Sequence, residues 1–335
     1  MNTAVVILNW NGRKFLEQFL PSVIQHSSEA SVFVADNGST DDSVSFLETN
    51  FPQINILRAS TNKGFTGGYN EALKQIKAEY FILLNSDVEV TAGWIKPVID
   101  LMNSDKTISA CQPKIKMYAD KKMFEYAGAA GGFIDKYGYP FCRGRIFNSL
   151  EDDKGQYDDT YEVFWATGAC MFVRSETFFS AGGFDDDFFA HMEEIDLCWR
   201  MKNLGNKIMY CGSSTVYHVG GGTLQKSNPF KTYLNFRNNL MMLIKNKSGF
   251  SLFRILFVRI FLDDLAQLKF LLSGNYRDSI AVQKAQFYVL FNFFKIKKKR
   301  KVISQNSSGI YNRSIVADYF LRGKKKFSEL AFTQK

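Results

Sequence analysis

The triplet Asn85-Ser86-Asp87 places a carboxylate directly after an apolar run, Tyr80 to Leu84. A carboxylate at a strand end can hold a hard divalent cation such as Mg²⁺ or Mn²⁺, whose other ligand positions are left to water and substrate phosphates. The same carboxylate could simply cap a turn, because Asp bonds readily to nearby backbone amides. By itself the triplet is compatible with a metal site and with an ordinary turn.

A second acidic group, formed by Glu193, Glu194 and Asp196, precedes an apolar helical stripe. On a helix Glu193, Asp196 and Arg200 share a face, whereas Glu194 is turned about 100° away. Asp196 can pair with Arg200 at i, i+4, but Glu194 has no such partner. Crowding by the neighbouring acids should raise the pKa of Glu194 toward the range of a general base. The alternative is an ordinary helix start, where acids are favoured anyway.

The chain has three histidines, and His218 has the most suggestive position, just before the glycines at 220–222. A neutral imidazole there could complete a metal site, and the glycines would let the backbone approach a phosphate. A lone histidine is more often structural. His26, at the end of the first predicted helix, is interpreted as structural, and His191 is open to both interpretations.

The elements that must position these groups are predicted from the first part of the chain, where short β-branched runs alternate with helix-like segments. This order predicts an α/β fold with a mostly parallel, doubly wound sheet. Polar turns follow the strands, and they should line one crevice because ligands bind at the carboxyl ends of parallel strands. The predicted strands are Ala4–Leu8, Ser31–Ala35, Ile54–Arg58 and Tyr80–Leu84, and the predicted helices are about Arg13–Gln25, Asp42–Asn50 and Gly68–Ile76.

The composition excludes a mainly disordered chain, because 46% of the 335 residues are hydrophobic and 15% are aromatic. The net charge of +9 comes mostly from the C-terminal part, where six of the seven residues from Lys295 to Lys301 are basic. Five cysteines without a CxxC pair argue against a disulfide framework or a cysteine-bound zinc site. They fit a reducing, cytoplasmic compartment best.

The composition changes near residue 226, where aromatic residues and Leu at helical spacing begin to alternate with Arg and Lys. We therefore expect a catalytic domain over residues 1–225 and a helical, basic and aromatic region over residues 226–335. The apolar stretch Phe250 to Leu262 has 13 residues and contains two arginines, whereas a spanning helix needs roughly 20 apolar residues. No transmembrane helix or signal peptide is expected. An interfacial surface attracted to anionic lipid is favoured, with a plain solvated charge run as the alternative.

Eight segments of the chain, in order, resemble the inverting family-2 glycosyltransferases with the GT-A fold, and especially their bacterial rhamnosyltransferase-like branch. The resemblance covers roughly residues 3 to 245 and implies a GT-A fold with a C-terminal helical extension. Any one segment is weak evidence for this resemblance, but eight segments in the right order make the resemblance specific. They are VVILNWNG, VADNGSTDDS, NKGFTGGYN, LLNSDVEV, WATGACMFVRSETF, GGFDDDFFAHMEEIDLCWR, VYHVGGGT and YLNFRNNLMMLIKN.

The resemblance implies a role for the residues of the first three segments. The acid of the second turn, here Asp36, reads the pyrimidine of a nucleotide-diphosphate sugar, with Asn9 and Asn11 of the first turn beside it. Lys63 and Gly67 occupy positions that line the donor.

The later segments imply the metal site, the base and the acceptor side. Asp87 matches the metal-binding acid of the family's DxD motif, and His218 matches a further metal ligand; Asn85 replaces the first acid of that motif, with Ser86 between. Glu194 matches the catalytic base, although Asp is more usual at that position. Asp196 and Glu193 are the next candidates for the role of base. The segments that shape the acceptor side contain Trp165, Gly168 and Asp185.

The implied reaction is a metal-assisted, single-displacement transfer of a sugar with inversion, using Mn²⁺ or Mg²⁺. Rhamnose is the favoured sugar, from a dTDP- or UDP-linked donor to a saccharide or lipid-linked saccharide in cell-surface polysaccharide synthesis, at the inner face of the cytoplasmic membrane. Galactofuranose or another hexose is an alternative, as is a non-catalytic nucleotide-sugar-binding module. A nicotinamide oxidoreductase is disfavoured because NWNG, not GxGxxG, follows the first strand. No nucleic-acid partner is expected, since no known nucleic-acid-binding motif accompanies the basic residues from Lys295 to Lys301.

Overall fold

The computed structural model describes residues 2–220, 228–301 and 308–332. The strands are β1 Thr3–Asn9, β2 Ser31–Asp36, β3 Asn55–Arg58, β4 Tyr80–Asn85, β5 Val88–Val90, β6 Ile108–Met117, β7 Gly132–Asp135, β8 Pro140–Cys142, β9 Arg145–Ile146, β10 Ser149–Leu150, β11 Thr160–Val163, β12 Cys170–Arg174, β13 Lys207–His218 and β14 Ile310–Tyr311. The helices are α1 Arg13–His26, α2 Ser43–Asn50, α3 Gly64–Leu73, α4 Lys96–Ser104, α5 Ser175–Ser180, α6 Glu193–Asn203, α7 Pro229–Asn246, α8 Gly249–Leu272, α9 Tyr276–Phe291, α10 Phe293–Lys298 and α11 Ile315–Phe320.

The central sheet has nine strands, in the order β11-β13-β6-β12-β4-β1-β2-β3, with β5 paired to β13. The strands β3, β2, β1 and β4 pair in parallel, as the alternating pattern of the first part of the chain predicts. β12 reverses the direction and lies antiparallel to both β4 and β6. The carboxyl ends of β1, β2 and β4 therefore lie at one edge of the sheet.

Alternate residues of β1 enter two different cores, which is why the sheet needs helices on both faces. Val5 and Ile7 pack with α1, α2 and α4, whereas Ala4 and Val6 pack with the side that carries α3 and α6. Helix α1 buries Leu16, Phe19, Leu20 and Val23, a spacing that places them on one helical face. The doubly wound arrangement is thus present.

Helix α3 begins at Gly64, earlier than the predicted start at Gly68. The Asn62 side chain accepts a hydrogen bond from the Gly64 amide at 2.8 Å and so starts the helix at that point. The glycine-rich pattern looked like a turn because glycine is unfavourable in helix interiors. Gly67 consequently lies inside the helix.

A second sheet, β10-β9-β8-β7-β14, covers one side of the molecule. Its last strand, β14, comes from the C-terminal part of the chain and pairs in parallel with β7. Phe327 and Phe332 pack on Phe133, with ring centroids 5.1 and 4.9 Å away. The region predicted to be helical over residues 226–335 is helical from α7 to the end of α10 at Lys298, but after that it contributes the strand β14 and the short helix α11, because its aromatic side chains pack against the second sheet. The predicted boundary at 225/226 lies outside the described residues.

The long C-terminal helices α7, α8 and α9 pack against one another, and α7 also packs against α6. Among the helices that the structure describes, none combines the length and the apolar character needed to cross a membrane.

Candidate active site

The first two turns are joined by side chains at the ends of β1 and β2. The strand register places Asn9 beside Asp36, and Asn9 Nδ2 donates to Asp36 Oδ1 at 3.1 Å. The other carboxylate oxygen of Asp36 accepts from the Ser39 backbone amide at 3.0 Å. Both side chains are buried at this edge of the sheet, so the acid predicted to bind the donor base is held in a fixed position.

Asn11 links the same two turns from the solvent side. Its φ of 51° lies in the left-handed region, which Asn tolerates better than most residues. Its Oδ1 accepts from the backbone amides of Thr40 and Asp41 at 2.7 and 3.2 Å. These bonds use the carbonyl oxygen of Asn11 to shape the second turn.

Asn37 is a central residue of this region that sequence reasoning did not single out. Its Oδ1 accepts from the Lys63 backbone amide at 3.1 Å, and its Nδ2 donates to the Gly64 carbonyl at 2.9 Å. Asn37 therefore connects the second turn to the start of α3. The only signal was its place beside Asp36 in the turn DNGSTD.

Lys63 and Gly67 lie one helical turn apart at the start of α3. The Lys63 ammonium pairs with Glu71 at 2.9 Å on the surface. A Cβ at Gly67 would come within 2.8 Å of the Lys63 Cβ, so the stem of Lys63 packs over this glycine. Beside them a small pocket opens between α3 and the ends of β2 and β3; it is lined by Leu8, Ala35, Asp36, Asn37, Leu57, Arg58, Ala59, Gly68, Glu71, Ala72 and Gln75.

Asp87 and His218 lie side by side at the end of β4. β13 pairs antiparallel with β5 and sets His218 opposite Val88, so His218 Nε2 lies 3.1 Å from Asp87 Oδ1. On its other side Nδ1 lies 3.2 Å from Glu125 Oε2. Burial lowers the pKa of His218, but hydrogen bonding to Asp87 and Glu125 outweighs this effect and raises the pKa to about 10. Asn85 Nδ2 completes the group, 3.4 Å from the same Nε2.

This pair has the chemistry of a divalent-cation site. Among the described residues, no group of three or more His, Cys, Asp and Glu side chains is arranged to hold a metal ion. Two protein ligands are nevertheless typical of Mg²⁺ or Mn²⁺ sites that rely on substrate phosphates and water for the rest. A cation bound by Asp87 and His218 would replace the proton between them, and Glu125 would orient the imidazole from behind. Glu125 lies in a loop without a recognisable pattern, and the sequence therefore contained no signal for it.

The carboxylates of Glu193 and Glu194 lie in the first turn of α6, and each has a buried Oε2 without a hydrogen-bond partner. Burial raises the pKa of Glu194 to about 7, against the lowering effect of the backbone amides at the helix start. The pKa of Glu193 lies well above its usual range because of burial and of its neighbour Glu194. A raised pKa for Glu194 was expected from crowding by acids, whereas the main cause is burial.

Asp196 is fully buried and surrounded by donors. Arg200 Nε and Lys245 Nζ each donate to its Oδ2 at 2.8 Å, and Asn246 Nδ2 donates to Oδ1 at 2.9 Å. Burial raises its pKa, but Lys245 and Arg200 outweigh burial and lower the pKa below its usual range. The expected Asp196–Arg200 pair is present, and the carboxylate is occupied by structural partners.

Asp185 belongs to the same charge network. Lys245 Nζ lies 2.7 Å from Asp185 and thus bridges it to Asp196, while Lys299 Nζ lies 2.6 Å from its other oxygen. Although burial opposes them, these two ammonium groups lower the pKa of Asp185 to about 2. Its Oδ1 also caps the short 3₁₀ turn at Asp186–Phe188, where it accepts from the Asp187 amide.

The loop that leads into α6 has an unusual backbone. Phe189, His191 and Met192 have φ values of 63°, 70° and 71°, a region that costs non-glycine residues energy and is common at functional sites. Asn238 of α7 supports the loop, since its Nδ2 lies within hydrogen-bond distance of the carbonyls of Phe188, Ala190 and His191. The segment YLNFRNN contributed to the resemblance, but sequence reasoning assigned no role to this residue.

The loop also contacts the donor side. The Phe65 amide donates to the Phe189 carbonyl at 2.8 Å. A Cβ at Gly64 would come within 2.5 Å of the Phe189 ring. Asn70 of α3 donates to Asp186 at 2.7 Å. The start of α3 and the loop before Glu194 are therefore in direct contact.

Trp165 and Gly168 have different surroundings. Trp165 is buried and donates from Nε1 to the Phe133 carbonyl at 3.0 Å, and its ring lies on Gly132. A Cβ at Gly168 would come within 3.2 Å of the Phe65 ring. The contact with Phe65 places Gly168 beside α3, and the role of both residues on the acceptor side stays a prediction. His191 Nε2 is buried without a partner, and burial with nearby Lys231 lowers the pKa of His191 to about 4.

Known proteins share this architecture. The chain is 27% identical over 233 residues to N-acetylglucosaminyl-diphospho-decaprenol L-rhamnosyltransferase of Mycobacterium tuberculosis, covering 64% of this chain and 75% of that protein. GalNAc-T7 with UDP, GalNAc and Mn²⁺ superposes with a TM-score of 0.57 at 18% identity over 73% of this chain, but this chain covers only 48% of that structure. The mannosyltransferase PcManGT from Pyrobaculum calidifontis, in complex with GDP-Man and Mn²⁺, superposes with a TM-score of 0.51 at 11% identity, covering 89% of this chain and 83% of that one.

These structural neighbours confirm the predicted GT-A fold. The family model described as "Glycosyl transferase family 2" matches residues 4–177, which include the turns around Asp36 and Asp87. That match spans more than half of the chain, and the protein therefore belongs to glycosyl transferase family 2.

Proposed function

We propose that this glycosyltransferase moves a sugar from a nucleotide diphosphate to a hydroxyl group of a saccharide or lipid-linked saccharide, with inversion at the anomeric carbon. The observation that carries the proposal is the buried carboxylate of Glu194, whose Oε2 has no hydrogen-bond partner and whose pKa is raised to about 7. A group with that pKa can accept a proton near neutral pH. It follows a loop that contacts the donor side of the same sheet edge.

In this reaction the nucleotide binds at the turns held by Asn9, Asn11, Asp36 and Asn37. The hydroxyl oxygen of the acceptor bonds to the anomeric carbon as its proton passes to Glu194. The bond between that carbon and the diphosphate oxygen breaks, and its electron pair leaves with the diphosphate. No nucleophilic side chain of the protein takes part, and a single displacement inverts the configuration.

Asp87 and His218 are the residues that would hold a divalent cation beside the diphosphate, with Asn85 and Ser86 next to them. When bound, such a cation neutralises the negative charge that develops on the leaving diphosphate. Supporting this assignment, the two side chains lie 3.1 Å apart, and Mn²⁺ accompanies the nucleotide in the two solved structures compared above.

The substitution Glu194→Gln tests the base. We expect turnover to fall by at least about a hundredfold, because general-base help is worth roughly 10² to 10⁴ in rate, while binding of the donor nucleotide is kept. Glu176→Gln is the matched control, since Glu176 occupies the first turn of α5 but is exposed. Near-normal turnover in Glu194→Gln would shift the base role to Glu193 or Asp196.

The transferred sugar is proposed to be rhamnose, from a dTDP- or UDP-linked donor, because the Mycobacterium tuberculosis relative is an L-rhamnosyltransferase. A thermal-shift series with nucleotide-diphosphate sugars, each with and without Mn²⁺, tests this choice. The largest stabilisation should come from dTDP-rhamnose with Mn²⁺. A larger shift with a galactofuranose, galactose or other hexose donor would exclude rhamnose, and stabilisation without any donor hydrolysis would favour a non-catalytic binding module.

We also propose that the C-terminal helices bind an anionic membrane surface, on the inner face of the cytoplasmic membrane. Phe257 of α8, Phe291 of α9 and Phe294 of α10 are 77%, 81% and 76% exposed. Lys295 and Lys297 on α10 are exposed beside them. Apolar rings with adjacent cations are typical of interfacial helices.

Only some of the six basic residues between Lys295 and Lys301 are available for such a surface. Lys299 pairs with Asp185 and Asp187, Arg300 donates to the Ile244 carbonyl at 2.6 Å, and Lys301 donates to the Ala181 carbonyl at 3.3 Å. Lys299, Arg300 and Lys301 are therefore engaged in contacts with the rest of the protein.

A further inference from the structure

Phe189 occupies the central position of a γ-turn in the loop before α6. Its φ and ψ are 63° and −57°, and the Ala190 amide donates to the Phe188 carbonyl at 2.7 Å across the turn. A γ-turn of this hand is rare and strained, and a positive φ is a genuine outlier for a bulky residue. Glycine would adopt the same turn without this strain. The local backbone therefore gains nothing from a phenylalanine, and the ring is the part that can have a role.

Burial in the core does not account for the Phe189 ring. The neighbouring Phe188 is fully buried, whereas Phe189 is 38% exposed. An exposed aromatic ring alone is ordinary on a protein surface. An exposed ring on a strained backbone is different, because such strain persists only where the surrounding structure holds it, and it clusters at active sites and ligand-binding sites.

Contacts from two helices hold this ring in one place. On one side it lies against Gly64 at the start of α3, where a Cβ would come within 2.5 Å of the ring. The Phe189 carbonyl accepts from the amides of Phe65 and Thr66 at 2.8 and 3.3 Å. On the other side the Phe230 ring of α7 meets it edge-on, with ring centroids 6.0 Å apart. The ring is thus a fixed, half-exposed surface between α3 and α7.

The Phe189 ring lies between the parts of the protein that the proposed reaction brings together. The start of α3 belongs to the proposed donor side, which includes Lys63 and Gly67. Glu194, the proposed base, follows Phe189 by five residues at the start of α6. Because the base takes the proton of the acceptor hydroxyl, a fixed ring on the loop that leads to it is suited to contact the acceptor.

The same loop carries a polar group that lacks a partner. His191 Nε2 is buried, and none of the residues that the structure describes offers it a hydrogen bond. Burial and the nearby Lys231 lower the pKa of His191 to about 4, so the imidazole is neutral at neutral pH. Buried polar groups are normally hydrogen-bonded, and an exception needs an explanation. The loop thus combines an apolar ring with a hydrogen-bonding group, which are the two kinds of contact that a sugar makes through its C–H face and its hydroxyls.

We infer that Phe189 is a binding residue for the acceptor, and that its ring packs against the apolar C–H face of the acceptor sugar that carries the reacting hydroxyl. This inference rests on the proposed transferase function and adds to it a residue that selects the acceptor. A sugar ring has C–H groups on its faces and hydroxyls at its edge, so a flat aromatic ring removes an apolar face from water. Since Phe189 is already held from both sides, it loses little conformational freedom on binding.

Methyl glycosides are the probe for this contact, because they present a single sugar ring without an aromatic or lipid group. Saturation-transfer-difference NMR on the full-length protein, with saturating UDP or dTDP and Mn²⁺ to fill the donor site, tests the methyl glycosides of glucose, galactose, mannose, rhamnose and N-acetylglucosamine. We expect at least one glycoside to bind, with the strongest transfer to the C–H protons of one face. Failure of every glycoside to bind, or loss of the signal when the nucleotide is added, would overturn the inference.

Three substitutions of Phe189 separate the ring from the backbone. Phe189→Gly removes the ring and relieves the strain, so the variant should unfold at about the wild-type temperature. The dissociation constant of the best-binding glycoside should rise roughly tenfold, which is the size expected for one lost aromatic contact. Phe189→Tyr keeps the ring and should restore most of the affinity, whereas Phe189→Leu, which is apolar but not flat, should not. An unchanged dissociation constant in Phe189→Gly, or wild-type affinity in Phe189→Leu, would overturn the inference.

Phe179→Leu is the matched control for Phe189→Leu. Phe179 of α5 is 44% exposed, and its ring packs against Phe81, with centroids 5.9 Å apart. Its substitution should leave the dissociation constant of the glycoside unchanged. Equal losses in the two leucine variants would mean that any exposed aromatic ring has this effect and would refute the contact.

Donor hydrolysis, measured without a glycoside, separates this inference from the proposed function. With the nucleotide sugar that stabilises the protein most, the KM should be the same in wild type and Phe189→Gly. A raised KM with unchanged glycoside binding would place the ring against the transferred sugar and overturn the acceptor contact. Glycoside binding that depends on Phe189, together with no hydrolysis of any nucleotide sugar by the wild type, would instead overturn the transferase function alone.

Discussion

The proposed donor side and the proposed acceptor side of the site are constructed in different ways. On the donor side, Asn9 and Asp36 are neighbours because β1 and β2 are paired in register, and short turns complete the geometry. On the acceptor side, Asp185 and Asp196 are positioned by Lys245, and the loop before Glu194 by Asn238, both from α7. The comparison shows that local sequence patterns suffice to position the residues of the donor side. The residues of the acceptor side are instead positioned by side chains some fifty positions away in the chain.

The largest expected effect concerns the buried charges of the acceptor side. Asp196→Ala should lower the free energy of unfolding by about 3–5 kcal/mol, because it leaves the buried Arg200 without a carboxylate partner and leaves Lys245 with Asp185 alone. Asp36→Ala on the donor side removes bonds to Asn9 and Ser39 and should cost about 1–2 kcal/mol. Urea unfolding of both variants measures the difference. Equal losses of stability would contradict the proposed contrast between the two sides.

The pH profile of turnover should show the next largest effect. The pKa of Glu194 is raised to about 7, and a general base must be deprotonated, so kcat should rise with pH and level off above that value. Two pH units below the pKa only about one molecule in a hundred carries the active carboxylate, and the rate should be lower by about that factor. The acidic limb should disappear from the residual activity of Glu194→Gln. A flat wild-type profile between pH 5 and 8 would argue against this base.

The smallest expected effect lies at the proposed membrane surface. Lys295→Gln should weaken binding to anionic vesicles about fivefold, since a basic residue near such a surface contributes about 1 kcal/mol. Lys74→Gln is the control and should leave binding unchanged, because Lys74 is exposed at the end of α3 and does not belong to the C-terminal helices. Flotation assays measure both. Identical binding of wild type and Lys295→Gln, even at low salt, would count against a peripheral role for α10.

The donor side was largely predictable because its signals are local. Alternating apolar runs mark β1, β2, β3 and β4 within a residue or two at each end, and the turns after them contain the polar residues themselves. The exception is α3, where the glycines of NKGFTGGYN suggested a turn. Tertiary contacts decide otherwise, since a Cβ at Gly68 would come within 2.8 Å of Leu8, and only glycine lets the helix approach the sheet this closely.

The acceptor side was predictable only in its residue types. The acids of α6 were recognisable from their spacing, and the Asp196–Arg200 pair followed from helical geometry. The burial that raises the pKa of Glu194 and the second cation on Asp196 come from packing against α7 and the preceding loop, which no local pattern encodes. Glu125 and Asn37 were missed for the same reason, because each acts through a partner on another element.

The sequence by itself thus indicated which groups could do the proposed chemistry, namely the carboxylates after β4 and at the start of α6 and the imidazole at the end of β13, and it predicted a parallel sheet for the first part of the chain. Residue type and periodicity are local properties, and they can be recognised without knowing the fold. Only the tertiary structure decided the environment of each group, namely that the Glu194 carboxylate is desolvated with one oxygen lacking a partner, while Asp196 is saturated by donors. Desolvation and long-range hydrogen bonds depend on what surrounds a side chain in space, and that is fixed only when α7 has packed against α6 and the loop before it.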